Sequence, residues 1–334
     1  MFKKIGINKR LILLIKIVVT ITLCTIIIWK GNWTDIWKGL QASNLFLIVI
    51  VFLCMILGVT ISTYKWRILL SIHGIHFDFR MLHRYYFTSV FFNNFLPTTI
   101  GGDSYRIYKT LENTHSRAGA VVAVFTERAT GIWALLVLGF AGGIVLFLQK
   151  NTDISWLGIV LGIFGVLIVI PFIFVIFSKS VVPWVSARKN FPRILKKVLE
   201  HFDDYRRQPR RTFQIILISI FFHLFTLSWM VVLLKAIGAT TSIFNLVVAV
   251  AISNLVAILP ISINGIGLMD GSFIYVIGEL GMNYEPALIF MLLIRALLIP
   301  LSLIGGLFYL SDKKFIKTGD LKKKSIESIE ESLS

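Results

Sequence analysis

Charge is scarce in this chain: 15% of its 334 residues are charged, against about a quarter in soluble domains, while 56% are apolar. Mean hydropathy is +0.82. No polar interval between the apolar runs is long enough for a separate soluble domain. A single integral membrane domain over residues 1–310 is expected, followed by a polar cytoplasmic tail, 311–334. Cysteine is nearly absent. Cys24 and Cys54 both lie inside apolar runs, which excludes a disulfide framework and a cysteine metal site and leaves packing as their role. Acidic residues are few as well, 17 against 34 basic ones, giving a net charge of +17. The basic residues alternate with apolar runs instead of forming one patch with interleaved aromatics, so nucleic acid is not an expected partner. Nucleotide loops, metal motifs and a nucleophile paired with a base are also missing, and no cofactor, metal or catalytic residue is expected. His73, His76 and His83 lie within Lys65–Arg84 with Asp78 as the one carboxylate close to the first pair. That donor set is thin for a metal, and the three read as solvated interfacial histidines.

What is present is a series of apolar runs. Six of them, Leu11–Trp29, Asn44–Tyr64, Ala118–Gln149, Ser155–Phe177, Thr212–Leu234 and Pro286–Leu310, are suited to crossing a bilayer as helices. The first is too long for a signal-peptide core and lacks a small-residue cleavage site. Trp33 and Trp37 occupy a short loop suited to an interfacial belt. A bend is expected at Pro171, and Pro192–Arg207 alternates apolar and basic residues as an amphipathic surface helix does.

Two further apolar stretches are interrupted. In the first, about Met81–Thr110, helix is stopped by Leu96-Pro97-Thr98-Thr99-Ile100-Gly101-Gly102 and restarts at Asp103. In the second, Ile243–Leu259 is separated from Leu268–Leu280 by a turn that includes Pro260, Ser262, Asn264, Gly265 and Gly267, with Asp270 following. Proline disfavours helix at the residue before it, and glycine permits dihedrals other residues avoid. Each stretch reads as a broken hairpin of two half-helices, and such breaks are tolerated in lipid only where protein or water covers them. Paired breaks of this kind, one per half, point to a transporter-type site.

Counting Lys and Arg gives 27 of 34 in four groups: the N-terminus, Lys65–Arg117, Ser178–Arg211 and the tail. All four fall on one side if both hairpins re-enter the membrane, which makes both termini cytoplasmic by the positive-inside rule. The expected fold is therefore all-α and polytopic, with two inverted-topology halves, about 11–149 and 155–310. Each half has three membrane-spanning helices and one broken re-entrant hairpin. A second hairpin that crosses fully also leaves both termini inside, and both arrangements stay open.

Charges within spans are costly and tend to face the bundle interior. Glu127, Arg128 and Arg295 are such charges; for Glu127-Arg128, mutual neutralisation with other buried charges and direct substrate contact are equally open. His223 reads as a packed histidine, and Lys16 and Lys235 lie near enough to span ends to snorkel.

Asn94-Phe95-Leu96-Pro97 followed by Gly101-Gly102-Asp103 and Arg106, the Glu127-Arg128 pair, and Leu259-Pro260, Ser262, Gly265 and Gly267 together resemble the lysylphosphatidylglycerol synthase transmembrane region. This family is also described as a flippase-like domain of bacteria and archaea, and the chain is similar to its stand-alone, UPF0104-like members. Where the family commonly has a glutamate after the second turn, this chain has Asp270. The resemblance implies a multi-pass protein of a prokaryotic plasma membrane that moves an anionic or aminoacylated phospholipid, or a lipid-linked substrate, between leaflets. It also implies a possible separately encoded transferase partner, because the polar tail is too short to hold the soluble aminoacyltransferase domain of the best-known relatives. The expected substrate-binding set is Asn94, Pro97, Gly101, Gly102, Asp103, Arg106, Glu127, Arg128, Pro260, Ser262, Asn264, Gly265, Gly267, Asp270 and Arg295. The alternative is a membrane-embedded enzyme or partner subunit acting on a lipid phosphate, with Asp103, Glu127 and Asp270 supplying acid and base.

Overall fold

The computed structural model describes residues 9–96, 101–112, 114, 116–149, 156–170 and 204–311, and among them every regular element is helical. Pro97, Pro171, residues 192–203 and the tail beyond Ser311 lie outside the described residues. In chain order the helices are α1 (Lys9–Lys30), α2 (Trp33–Gln41), α3 (Leu45–Ile72), α4 (Phe79–Phe95), α5 (Gly101–Leu111), α6 (Arg117–Leu148), α7 (Trp156–Ile170), α8 (Pro209–Ala236), α9 (Ile243–Ile258), α10 (Leu268–Glu279) and α11 (Tyr284–Ser311). Five of them, α1, α3, α6, α8 and α11, are long and apolar enough to cross a membrane. The chain is an all-α polytopic membrane protein.

Local chemistry sets many of the helix starts. Asn44 accepts from the Leu47 amide to open α3, Asp78 from the Arg80 amide to open α4, and Ser242 from the Phe244 amide to open α9. Pro209 supplies the first residue of α8, where a missing N–H costs nothing.

The structure departs from the sequence reading at three places near the helix ends. Trp33 and Trp37 stand on a helix, α2, which Asn32 caps through the Thr34 amide. The second span does not end at Tyr64: α3 continues to Ile72, because nothing in Lys65–Ile72 breaks a helix and Trp66, Leu69 and Leu70 are buried. Lys65 is consequently inside the bundle and not in a cytoplasmic loop. His73 is not solvated either. Its Nδ1 lies 3.1 Å from Asp204 Oδ2 and its Nε2 2.9 Å from the Tyr205 hydroxyl, tying the end of α3 to the segment before α8. Burial pushes the Tyr205 phenol well above its ordinary pKa.

The helices cross-pair between the two halves of the chain. The first arm of the early hairpin, α4, packs against the last helix, α11, while the first arm of the late hairpin, α9, packs against α6; α3 and α8 pair with each other. The helices α4 and α11 approach closely at Gly305, where an added Cβ would overlap the Phe87 carbonyl. Small residues permit such approach where lipid supplies no hydrophobic drive between helices. α1 covers the late break: the Ile263 amide donates to Thr20 Oγ1 at 2.9 Å, and Tyr284 donates to the Ile27 carbonyl at 2.7 Å.

Candidate functional site

Both hairpins are interrupted where the sequence placed the breaks. α4 stops at Phe95 because Leu96, preceding proline, is extended (φ −89°, ψ 142°). α5 then folds back onto α4, the Gly102 amide donating to Asn93 Oδ1 at 2.9 Å, and a Cβ on Gly102 would overlap the Ser89 carbonyl. α9 stops at Ile258 because Leu259, also preceding a proline, is extended (φ −63°, ψ 122°). The chain turns through Ile263–Gly265 with positive φ at Asn264 (49°), Gly265 (71°) and Gly267 (76°) before α10 begins. Asparagine and glycine adopt this left-handed backbone at little cost, which is why the turn carries those residues.

The two breaks touch. Asn264 Nδ2 donates to Asn94 Oδ1 at 3.4 Å, and Asn94 Nδ2 donates to Ser302 Oγ and to the Leu298 carbonyl of α11. Of the other residues at the late turn, Pro260 is exposed, while Ser262 is 2% exposed and its hydroxyl has no partner among the described residues.

Beyond each break an aspartate in the first turn of the second arm meets an arginine 25 residues on. In the early half, Arg128 Nε donates to Asp103 Oδ2 at 2.6 Å; in the late half, Arg295 donates through Nε and Nη2 to the two oxygens of Asp270 at 2.9 and 3.0 Å. Asp270 also accepts from the Gly267 amide at 2.9 Å, so an internal carboxylate sits on the exposed N–H groups at the start of α10. Arg128 stands eleven residues after the first residue of α6, and Arg295 eleven after the first of α11.

The early half has a second layer. Arg106 donates to Asp103 Oδ1 at 2.8 Å and to Glu127 Oε2 at 2.6 Å, and its guanidinium lies 4.5 Å from the Tyr86 ring centre and 5.1 Å from that of Trp66. Tyr86 donates to Glu127 Oε1 at 2.6 Å, and Lys65 Nζ donates to the Glu127 carbonyl at 2.9 Å. Asp103, Arg106 and Glu127 are buried and ion-paired with one another, the condition under which ions persist in a low-dielectric interior. His223 Nε2 lies 2.9 Å from the Gly131 carbonyl one turn along α6, so that nitrogen is the protonated one.

The structure thus separates residues that sequence placed side by side. Glu127 is buried on Arg106, whereas the Arg128 side chain is 49% exposed; Arg295 is 25% exposed and Arg106 3%. Sequence reading missed Lys65, Trp66, Tyr86, Asn93 and Ser302. Lys65 carried a usable signal, a cation directly after an apolar run with no helix breaker around it; the others carried none. Gly101 begins α5 at the early break, and Pro97 lies outside the described residues.

The family described as Lysylphosphatidylglycerol synthase TM region matches residues 13–305. A protein named UPF0104 membrane protein from Methanothermobacter thermautotrophicus is 21% identical over 311 residues, an alignment covering 84% of this chain and 87% of that protein. No solved structure matches.

Proposed function

The chain belongs to the lysylphosphatidylglycerol synthase TM region family, and from that premise we propose that it is a translocase for an anionic or aminoacylated phospholipid or lipid-linked substrate. The lipid phosphate binds near the bilayer midplane between the two helix breaks, with its acyl chains left in the membrane. One observation carries this reading: two breaks from opposite halves of the chain meet at Asn94 and Asn264, with a partly exposed arginine behind each. Equal Asp–Arg separations and the cross-pairing of α4 with α11 and α9 with α6 support two inverted halves, the arrangement in which alternating access proceeds by rocking one half against the other. Both termini then lie in the cytoplasm of a prokaryotic cell, on the side holding most of the basic residues.

Reconstitution into vesicles tests it. Labelled phosphatidylglycerol is expected to exchange between leaflets faster than in protein-free vesicles, and faster than labelled phosphatidylcholine. Exchange no faster than in empty vesicles for anionic, zwitterionic and aminoacylated lipids alike would reject the translocase.

A further inference from the structure

Resting on that reading, we propose that Asp103 is a built-in competitor for the anion Arg128 takes: a lipid phosphate diester binds by displacing this carboxylate from the guanidinium. Arg128 is held by one nitrogen alone, Nε, while Nη1 and Nη2 have no partner among the described residues. Its side chain is 49% exposed although it stands eleven residues into α6, one of the helices long and apolar enough to cross a membrane. A charge half-open within such a helix demands water or an anion. The two unpartnered nitrogens form a fork suited to two phosphate oxygens.

Asp103 can release Arg128 without being stranded. Its other oxygen is held by Arg106 at 2.8 Å, and Arg106 is fixed in turn by Glu127, Tyr86 and Trp66. The late half is built differently. Arg295 occupies both oxygens of Asp270, and its departure would leave that buried carboxylate with only the Gly267 amide. Exchange of partners is therefore confined to the early half. The same arrangement selects the head group. Because Arg106 remains on Asp103 after the swap, no amine is needed to neutralise the carboxylate, and a cationic head group would meet the Arg106 charge behind it. The ligand class is a phosphate diester whose head group carries no positive charge.

Short-chain phosphatidylglycerol titrated calorimetrically into the full chain in neutral detergent tests this, with inorganic phosphate and short-chain phosphatidylethanolamine as parallel arms. Asp103→Asn is expected to bind phosphatidylglycerol about tenfold more tightly, the size of one charge-assisted contact, and to exchange it between leaflets more slowly. Arg128→Gln is expected to bind it about tenfold more weakly. Unchanged or weaker binding by a folded Asp103→Asn, while the unmodified chain binds phosphatidylglycerol, overturns the competitor and leaves the translocase standing. Absence of both binding and exchange in the unmodified chain overturns the translocase itself. Equal affinity for phosphatidylethanolamine overturns the head-group assignment, and equal affinity for inorganic phosphate overturns the lipid. Should Asp103→Asn fail to fold, Asp103→Ser removes the same carboxylate and carries the same expectations.

Discussion

Asn264 donates a hydrogen bond to Asn94 at 3.4 Å across 170 residues of sequence, joining the two points at which the membrane helices are broken. Each asparagine has a second task. Asn94 anchors the end of α4 to Ser302 and Leu298 of α11, and Asn264 holds the left-handed turn that leads into α10.

Asn264→Gly keeps the backbone conformation and deletes the donor. Thermal stability in detergent is expected to shift by less than about 1 kcal/mol, while leaflet exchange falls several-fold. Asn264→Val, by contrast, should lose about 1–2 kcal/mol, because a β-branched residue is strained at φ 49°. Exchange at the unmodified rate in Asn264→Gly would show that contact between the breaks has no part in transport.

Arg106 and Arg128 should separate stability from binding. Arg106→Gln leaves Glu127 and Asp103 buried without their shared cation and is expected to destabilise by about 3–5 kcal/mol. Arg128→Gln, half-exposed in the folded chain, is expected to cost less than about 1 kcal/mol of stability. Chemical unfolding of the two variants, followed by tryptophan fluorescence, decides between this ordering and its reverse.

Glycine substitutions test the cross-pairing of the halves. Gly305→Ala forces α11 away from the Phe87 carbonyl and is expected to cost about 1–3 kcal/mol, since backbone cannot yield as a side chain can. Gly158→Ala in α7 meets no atom within 4 Å and is expected to be neutral or to gain up to about 1 kcal/mol from helix propensity. Melting temperatures that fall equally in both would contradict the close α4–α11 contact.

Orientation is open to cysteine labelling. Lys38 and Arg210 are exposed and lie outside the apolar cores of the spans. In intact cells an impermeant thiol reagent is expected to modify Lys38→Cys and to spare Arg210→Cys until the membrane is opened. Labelling of Arg210→Cys from outside would reverse the proposed topology.

By itself the sequence determined the membrane class, five of the six expected apolar spans and the positions of both breaks. These are local properties: a run of about twenty apolar residues is long enough to span a bilayer, and a Leu-Pro step followed within a few residues by paired or alternating glycines disfavours helix through that point. Partners were decided only by tertiary structure. Glu127 and Arg128 are neighbours in sequence, yet successive side chains on a helix diverge by about 100°, so one is buried on Arg106 and Tyr86 while the other opens beside Asp103. Lys65 has the composition of a loop residue and becomes buried because α3 runs on beneath α6. The meeting of Asn94 with Asn264 depends on how α4 crosses α11 and α9 crosses α6, a matter of packing between distant segments that no local pattern encodes.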